Sequence, residues 1–157
     1  MVAPATLNTV AAAAKIGGDI HVLVAGQGVG AVAEAAAKIA GVAKVLVADN
    51  AAYAHKLPEI FAPLVVALVQ EAGAAGYRHI LAAATSNGKN ILPRVAVALD
   101  DDQISEIISI ESADTFKVPI YAGNAMSDRP ELTAAKIVAP QFYVAVVISG
   151  AIQHLSN

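Results

Sequence analysis

The chain predicts an α/β fold, a three-layer, Rossmann-like parallel sheet with helices on both faces. Three observations carry that expectation. Short apolar runs alternate with Ala-rich helical stretches from Thr6 to Leu99. The runs are continuously apolar rather than alternating, as strands buried on both faces of a parallel sheet are. Of the 157 residues, 57% are apolar but only 4% aromatic, so small side chains fill much of the core and let helices approach the sheet closely.

Each element follows in order. Thr6 to Ile16 reads as a helix, with Thr6 or Asn8 available as a cap and Gly17-Gly18 as the stop. Ile20 to Ala25 is expected to be a buried strand. Val29 to Ile39 is Ala-rich and helical and ends at Gly41. Val42 to Ala48 reads as a second buried strand. Pro58 to Ala72 is helical, with Pro63 near its start or kinking it. His79 to Ala84 is a third strand, and Lys89 to Leu99 a fourth helix with Pro93 in its first turn. The alternation implies right-handed βαβ crossovers. A domain of this kind opens on a strand, whereas this chain opens on a helix, so a first strand is expected to be missing.

After Asp100-Asp101-Asp102 the pattern changes. Ile104 to Ile110 and Phe116 to Tyr121 look like paired strands with no helix between them. Ser127-Asp128-Arg129-Pro130-Glu131-Leu132 is a polar break and a candidate linker. It divides the chain into an α/β domain over 1–126 and a linker with the remnant of a second domain over 127–157. A final strand-like run begins at Val138.

Composition excludes several function classes. The net charge of −3 argues against a nucleic-acid partner, which needs a clustered basic face. With no cysteine there is no disulfide, thiolate metal site or cysteine nucleophile. Mean hydropathy is +0.60, and the longest stretch free of charged residues and histidine runs from Ile137 to Gln153. Pro140, Ser149 and Gly150 and many β-branched residues make it a buried strand and turn rather than a membrane span.

The candidate sites are few. Gly26-Gln27-Gly28-Val29-Gly30 follows a strand and opens a helix, but Ala31 stands where the dinucleotide fingerprint needs glycine. Asp49, at the end of the next strand, keeps a ribose-binding acid available. A tight strand-to-helix turn is the preferred reading. Thr85-Ser86-Asn87-Gly88-Lys89-Asn90 offers amides for an anion, yet lacks the P-loop spacing and reads better as a capped turn. His21, His55, His79 and His154 show no metal-ligand spacing. His21 and His79 read as strand-end or edge residues, His55 as a loop residue. The three consecutive aspartates cannot converge on one site and read as a solvated loop. Ser149 lacks a nucleophile-elbow context.

The segments Thr6-Leu-Asn-Thr-Val10, Ile39 to Val47, Gly88 to Val95, Ile120-Tyr-Ala-Gly-Asn-Ala125, Ser127-Asp-Arg-Pro-Glu-Leu-Thr133 and Ser149-Gly-Ala-Ile-Gln-His154 together resemble the electron transfer flavoprotein alpha subunit. The resemblance spans nearly the whole chain. It implies an electron carrier rather than a stand-alone enzyme, paired as a heterodimer with a beta subunit that holds AMP. It implies FAD as cofactor, with electrons drawn from acyl-CoA and other dehydrogenases of fatty acid beta-oxidation and passed to a membrane quinone reductase. The bacterial cytoplasm or mitochondrial matrix is the implied compartment. By motif, Ser149, Gly150, Ala151, Ile152, Gln153 and His154 are the flavin contacts, with the His154 imidazole donating toward the ring. The family's GGRG, GASR and GQTG elements do not occur here, and Lys136-Ile137-Val138 reads as an in-frame join. Val147 and Phe142 replace the family's glycine and leucine. Two other readings stay open: a cofactor-free module that pairs with a beta-type subunit or with itself, and a small nucleotide-binding protein using Gly26 to Gly30 or Ser86 to Lys89.

Overall fold

The computed structural model describes residues 2–73, 76–120, 125–130 and 142–145, the last two stretches and residues 119–120 as backbone. Element order is α1 (Pro4–Ile16), β1 (Asp19–Gly26), α2 (Gly30–Ala37), β2 (Val42–Asp49), α3 (Pro58–Ala72), β3 (Tyr77–Leu81), α4 (Ser86–Leu99), β4 (Ser109–Ser112), β5 (Thr115–Ile120), β6 (Ala125–Pro130) and β7 (Phe142–Ala145). The fold is α/β, as the alternation of apolar runs and helices predicts.

β1 organises the core because its side chains alternate between two covered faces. Ile20, Val22 and Val24 meet Val10 and Ala13 of α1 and Val29 and Ala36 at α2. Leu23 and Ala25 meet Phe61, Ala62 and Val65 of α3 and Ile91 and Val95 of α4. Every residue from Val22 to Gly26 is buried, which is why this strand reads as an unbroken apolar run.

The first sheet has the order β2-β1-β7-β3. β1 pairs in parallel with β2 from Ile20↔Val42 to Gly26↔Asp49. β7 lies between β1 and β3, parallel to both. β2 was expected to be buried, but it stands at the end of the sheet order and Val47 is 52% exposed. Apolar content alone does not tell an outer parallel strand from an inner one.

Helix starts differ from the expectation for local reasons. α1 begins at Pro4, two residues early, and Ala3 precedes it in extended conformation without a side-chain cap. Proline at the first helical position has no N–H to satisfy and arrives with φ preset, so Thr6 and Asn8 are not needed as caps. Thr6 is instead buried, and the neighbouring buried Thr9 donates its hydroxyl to the Ala5 carbonyl at 2.9 Å. α4 also starts early, at Ser86, because the Thr85 hydroxyl oxygen accepts the Gly88 amide at 3.2 Å. Pro93 consequently lies in the helix interior rather than its first turn, as Pro63 does in α3. Both prolines are exposed, where water can reach the carbonyl that each leaves unpaired.

The polar stretch beginning at Ser127 is not a break in structure over its described part. Ser127 to Pro130 are the last four of the six residues of β6, which runs antiparallel to β5 from Thr115↔Pro130 to Ile120↔Ala125. A strand in an antiparallel sheet tolerates polar residues because one face of such a sheet can meet water. β4 completes this three-stranded sheet by pairing with β5. Phe116 of β5 and Ile16 at the end of α1 are buried together, with Leu81, Ile104 and Ile110 packed against them, and this cluster joins the two sheets. The division at residue 126 thus falls within β6, and Phe142–Ala145, on its far side, pairs into the first sheet.

Candidate functional site

Strand β1 ends in the turn Gly26-Gln27-Gly28-Val29, which delivers the chain to α2. Gly28 adopts φ +67, a conformation L-residues rarely take, and this turns its amide toward the end of β2. Because Gly26 is the register partner of Asp49, the Asp49 side chain stands beside the turn. Its two oxygens accept the amides of Gly28 at 2.8 Å and Val29 at 3.0 Å. A carboxylate at a helix start is favoured by the partial positive charge there and satisfies amides that have no intrahelical partner. The turn therefore carries its own anion, and Asp49, read from sequence as a possible ribose acid, is that anion.

The second loop, Thr85 to Asn90, is a capped helix start. Thr85 closes onto Gly88, and the Lys89 ammonium is engaged by the Glu106 carboxylate. That contact holds Glu106 below the usual carboxylate range, first by the hydrogen bond and then by the charge of Lys89.

The histidines are separated. His21 is the third residue of β1, inside the sheet rather than at a strand end, and its Nδ1 lies 3.0 Å from the Tyr77 hydroxyl of β3. Burial pushes the His21 pKa down, aided by Lys44 and opposed by Asp19. Burial pushes the Tyr77 phenol up. The two rings meet edge to face at 5.6 Å. Nothing in the spacing of 56 residues foretells this pair. His79, in the middle of β3, lies 2.8 Å through Nε2 from the Ala113 carbonyl in the turn between β4 and β5. His55 is exposed in a turn. Asp100 ends α4 in the left-handed conformation, and Asp101 and Asp102 are exposed, which is the solvated loop expected. Among the described residues no three His, Asp or Glu side chains are grouped to hold a metal ion, and no helix is long and apolar enough to cross a membrane. Ser149, Gly150, Ala151, Ile152, Gln153 and His154 lie outside the described residues.

Residues 1–147 match the family model described as the electron transfer flavoprotein domain. The chain belongs to the electron transfer flavoprotein family. It is 65% identical over 136 residues to the electron transfer flavoprotein subunit alpha of Pseudomonas aeruginosa, covering 87% of this chain and 42% of that protein. It is 51% identical over 126 residues to the subunit alpha of Paracoccus denitrificans, covering 80% and 39%. With the mitochondrial subunit alpha of Dictyostelium discoideum it shares 45% identity over 125 residues, covering 78% and 35%. The chain thus spans about two fifths of the length of the alpha subunits it matches.

The family name raises the question of a flavin. A dinucleotide needs free amides or cations for its pyrophosphate and an enclosing pocket for its rings. At α2 the amides of Gly28 and Val29 are committed to Asp49. The groove between α1 and α2, about 520 Å³, is lined chiefly by aliphatic side chains including Val2, Leu7 and Ile39. Neither of these two places fits a flavin dinucleotide.

Proposed function

We propose that this chain serves as the α/β portion of an electron transfer flavoprotein alpha subunit, an electron-carrier component rather than a stand-alone enzyme. The observation that carries this reading is the 65% identity over 136 residues to a bacterial alpha subunit. In this role the α/β domain of residues 1–126 pairs with a beta subunit. The heterodimer takes electrons from acyl-CoA and other dehydrogenases, within fatty acid beta-oxidation, and delivers them to the respiratory chain through a membrane quinone reductase. FAD is assigned to the remnant segment, with Ser149 to His154 as its contacts. The working compartment is the bacterial cytoplasm or the mitochondrial matrix.

The pairing of Asp49 with Gly28 and Val29 favours a second reading. In it the chain is a cofactor-free module that pairs with a beta-type subunit or with itself, because the glycine turn of dinucleotide type at Gly26 to Gly30 is already filled by a side chain.

Co-expression with a tagged beta subunit separates the two. A one-to-one complex with flavin absorbance supports the first reading. A complex that stays colourless after FAD is added supports the second. If the chain does not co-purify with the beta subunit under either condition, the first reading fails and the second keeps only pairing of the chain with itself, which sedimentation at high concentration tests.

A further inference from the structure

Asn87-Gly88, in the first turn of α4, is the sole Asn-Gly pair of the sequence. Such a pair carries its own reaction. The backbone nitrogen after an asparagine can attack the side-chain amide carbon, expelling ammonia and closing a five-membered succinimide ring. Water then opens the ring to aspartate, or to isoaspartate, in which the main chain runs through the side chain. Glycine makes the attack fastest, because no Cβ shields its nitrogen. The reaction needs a reachable side chain, a free nitrogen and a backbone able to turn between them.

The structure supplies the first and withholds the other two. Asn87 is exposed, whereas Gly88 is buried. The Gly88 amide is donated to the Thr85 hydroxyl oxygen at 3.2 Å. Asn87 lies within α4, where ψ is about −42°. Ring closure requires that torsion to leave the helical well and carry the Gly88 nitrogen toward the side chain. Two contacts oppose the movement. A Cβ on Gly88 would stand 2.1 Å from the Ala83 carbonyl oxygen, so the main chain at Gly88 already packs on that carbonyl. The Lys89 amide, next along, is donated to the Thr85 carbonyl at 2.9 Å.

We propose that Asn87 is a self-modifying site whose conversion to aspartate or isoaspartate is controlled by the Thr85 cap. While Thr85 holds the Gly88 amide, the site is inert. When the first turn of α4 opens, ring closure begins, so the rate follows the open population of that turn. The two products act oppositely on the helix. Aspartate adds a negative charge where the partial positive charge of the helix start favours it. Isoaspartate adds one carbon to the main chain and displaces the turn that leads into Ile91 and Val95, which pack in the core with Phe61. A chain that has opened at α4 thus acquires a permanent mark.

The test incubates the full-length chain at mildly alkaline pH, native and in urea. Peptide mapping by mass spectrometry then separates asparagine, aspartate and isoaspartate at position 87. Asn87 is expected to convert in urea and to convert at least about tenfold more slowly in the native chain. Thr85→Ala is expected to raise the native rate about fivefold, the increase in opening that loss of a helix cap brings. Thr85→Ser keeps the hydroxyl and is expected to leave the rate low. Asp49→Ala weakens the fold at a contact outside α4 and is expected to leave the rate at position 87 unchanged. No conversion in urea, a native rate equal to that in urea, or a Thr85→Ala rate no higher than the native one overturns the proposal. So does an equal rise in Asp49→Ala, which would tie the reaction to global unfolding rather than to the cap.

Discussion

The Asp49 carboxylate receives the Gly28 amide at 2.8 Å, so the end of β2 is tied to the start of α2. In α/β folds that bind dinucleotides, the amides at this helix start face a pyrophosphate and the acid at the end of the second strand faces a ribose. Here the two halves of that arrangement satisfy each other. The parallel register Gly26↔Asp49 brings them side by side, and the positive φ of Gly28 aims its amide at the acid. The same contact that stabilises the crossover removes the anion site.

Replacing Asp49 tests this directly. Asp49→Ala leaves the amides of Gly28 and Val29 to water and removes a charge from the helix start, an expected loss of about 1 kcal/mol. Asp49→Asn keeps an acceptor oxygen and is expected to lose less. Urea unfolding of the three proteins gives the order. Calorimetric titration of the unaltered chain with ATP or AMP is expected to show no heat at this turn. A heat that Asp49→Ala changes would show that the turn accepts nucleotide.

His21 makes stability depend on pH in a stated direction. Burial holds its folded pKa below the ordinary value, so between the two the unfolded chain binds more protons than the folded one. Its contribution is fully present above the unfolded pKa of about 6.5. It is lost as pH falls through the lower folded value. The melting temperature is therefore expected to drop as pH falls below about 6.5, and His21→Asn is expected to flatten that part of the profile. An unchanged slope in the variant would assign the dependence to other groups.

Asp100 ends α4 at φ +56, where an L-residue bears a cost that glycine does not. Its side chain is exposed, and its amide bonds back to the Ala96 and Val97 carbonyls, a contact any residue keeps. Asp100→Gly is expected to raise stability by about 1 kcal/mol, read as a higher urea midpoint at unchanged slope. A lower midpoint would mean that the Asp100 carboxylate contributes more than its backbone conformation costs.

The sequence made the helical layers legible because their punctuation is local. Gly17, Pro58 and the Thr85-to-Lys89 segment mark helix ends by chemistry that needs no partner. The apolar runs located β1, β2 and β3 to within a few residues. What stayed hidden depends on distant pairing. Val42 to Ala48 has the composition of an inner strand but lies at the end of the sheet order, and Ser127 to Pro130 has the composition of a linker but pairs with β5. Asp49 was legible as the acid near the glycine turn. That it binds the turn itself follows only from the register with β1. Tyr77 lay outside the strand read from sequence, so its meeting with His21 was invisible.

Two glycines are required for opposite reasons, and alanine at each separates them. At Gly28 an added Cβ meets nothing within 4 Å, so the cost of Gly28→Ala is conformational, about 1–2 kcal/mol for a left-handed residue. At Gly88 the situation is reversed. It lies in the first turn of α4, where alanine is ordinarily the better residue by roughly 0.5–1 kcal/mol. But its Cβ would stand 2.1 Å from the Ala83 carbonyl oxygen, a backbone atom that cannot turn aside. Thr85, which caps α4, also donates its amide to that carbonyl at 2.7 Å, so moving Ala83 disturbs the cap. Overpacking of this kind costs about 1–3 kcal/mol and outweighs the propensity gain. Gly88→Ala is thus expected to destabilise, and together with Thr85→Ala to cost less than the sum of the two, because both loosen the same helix start. A double-mutant cycle by urea unfolding measures this. Full additivity would mean that the helix start and the Ala83 carbonyl yield independently.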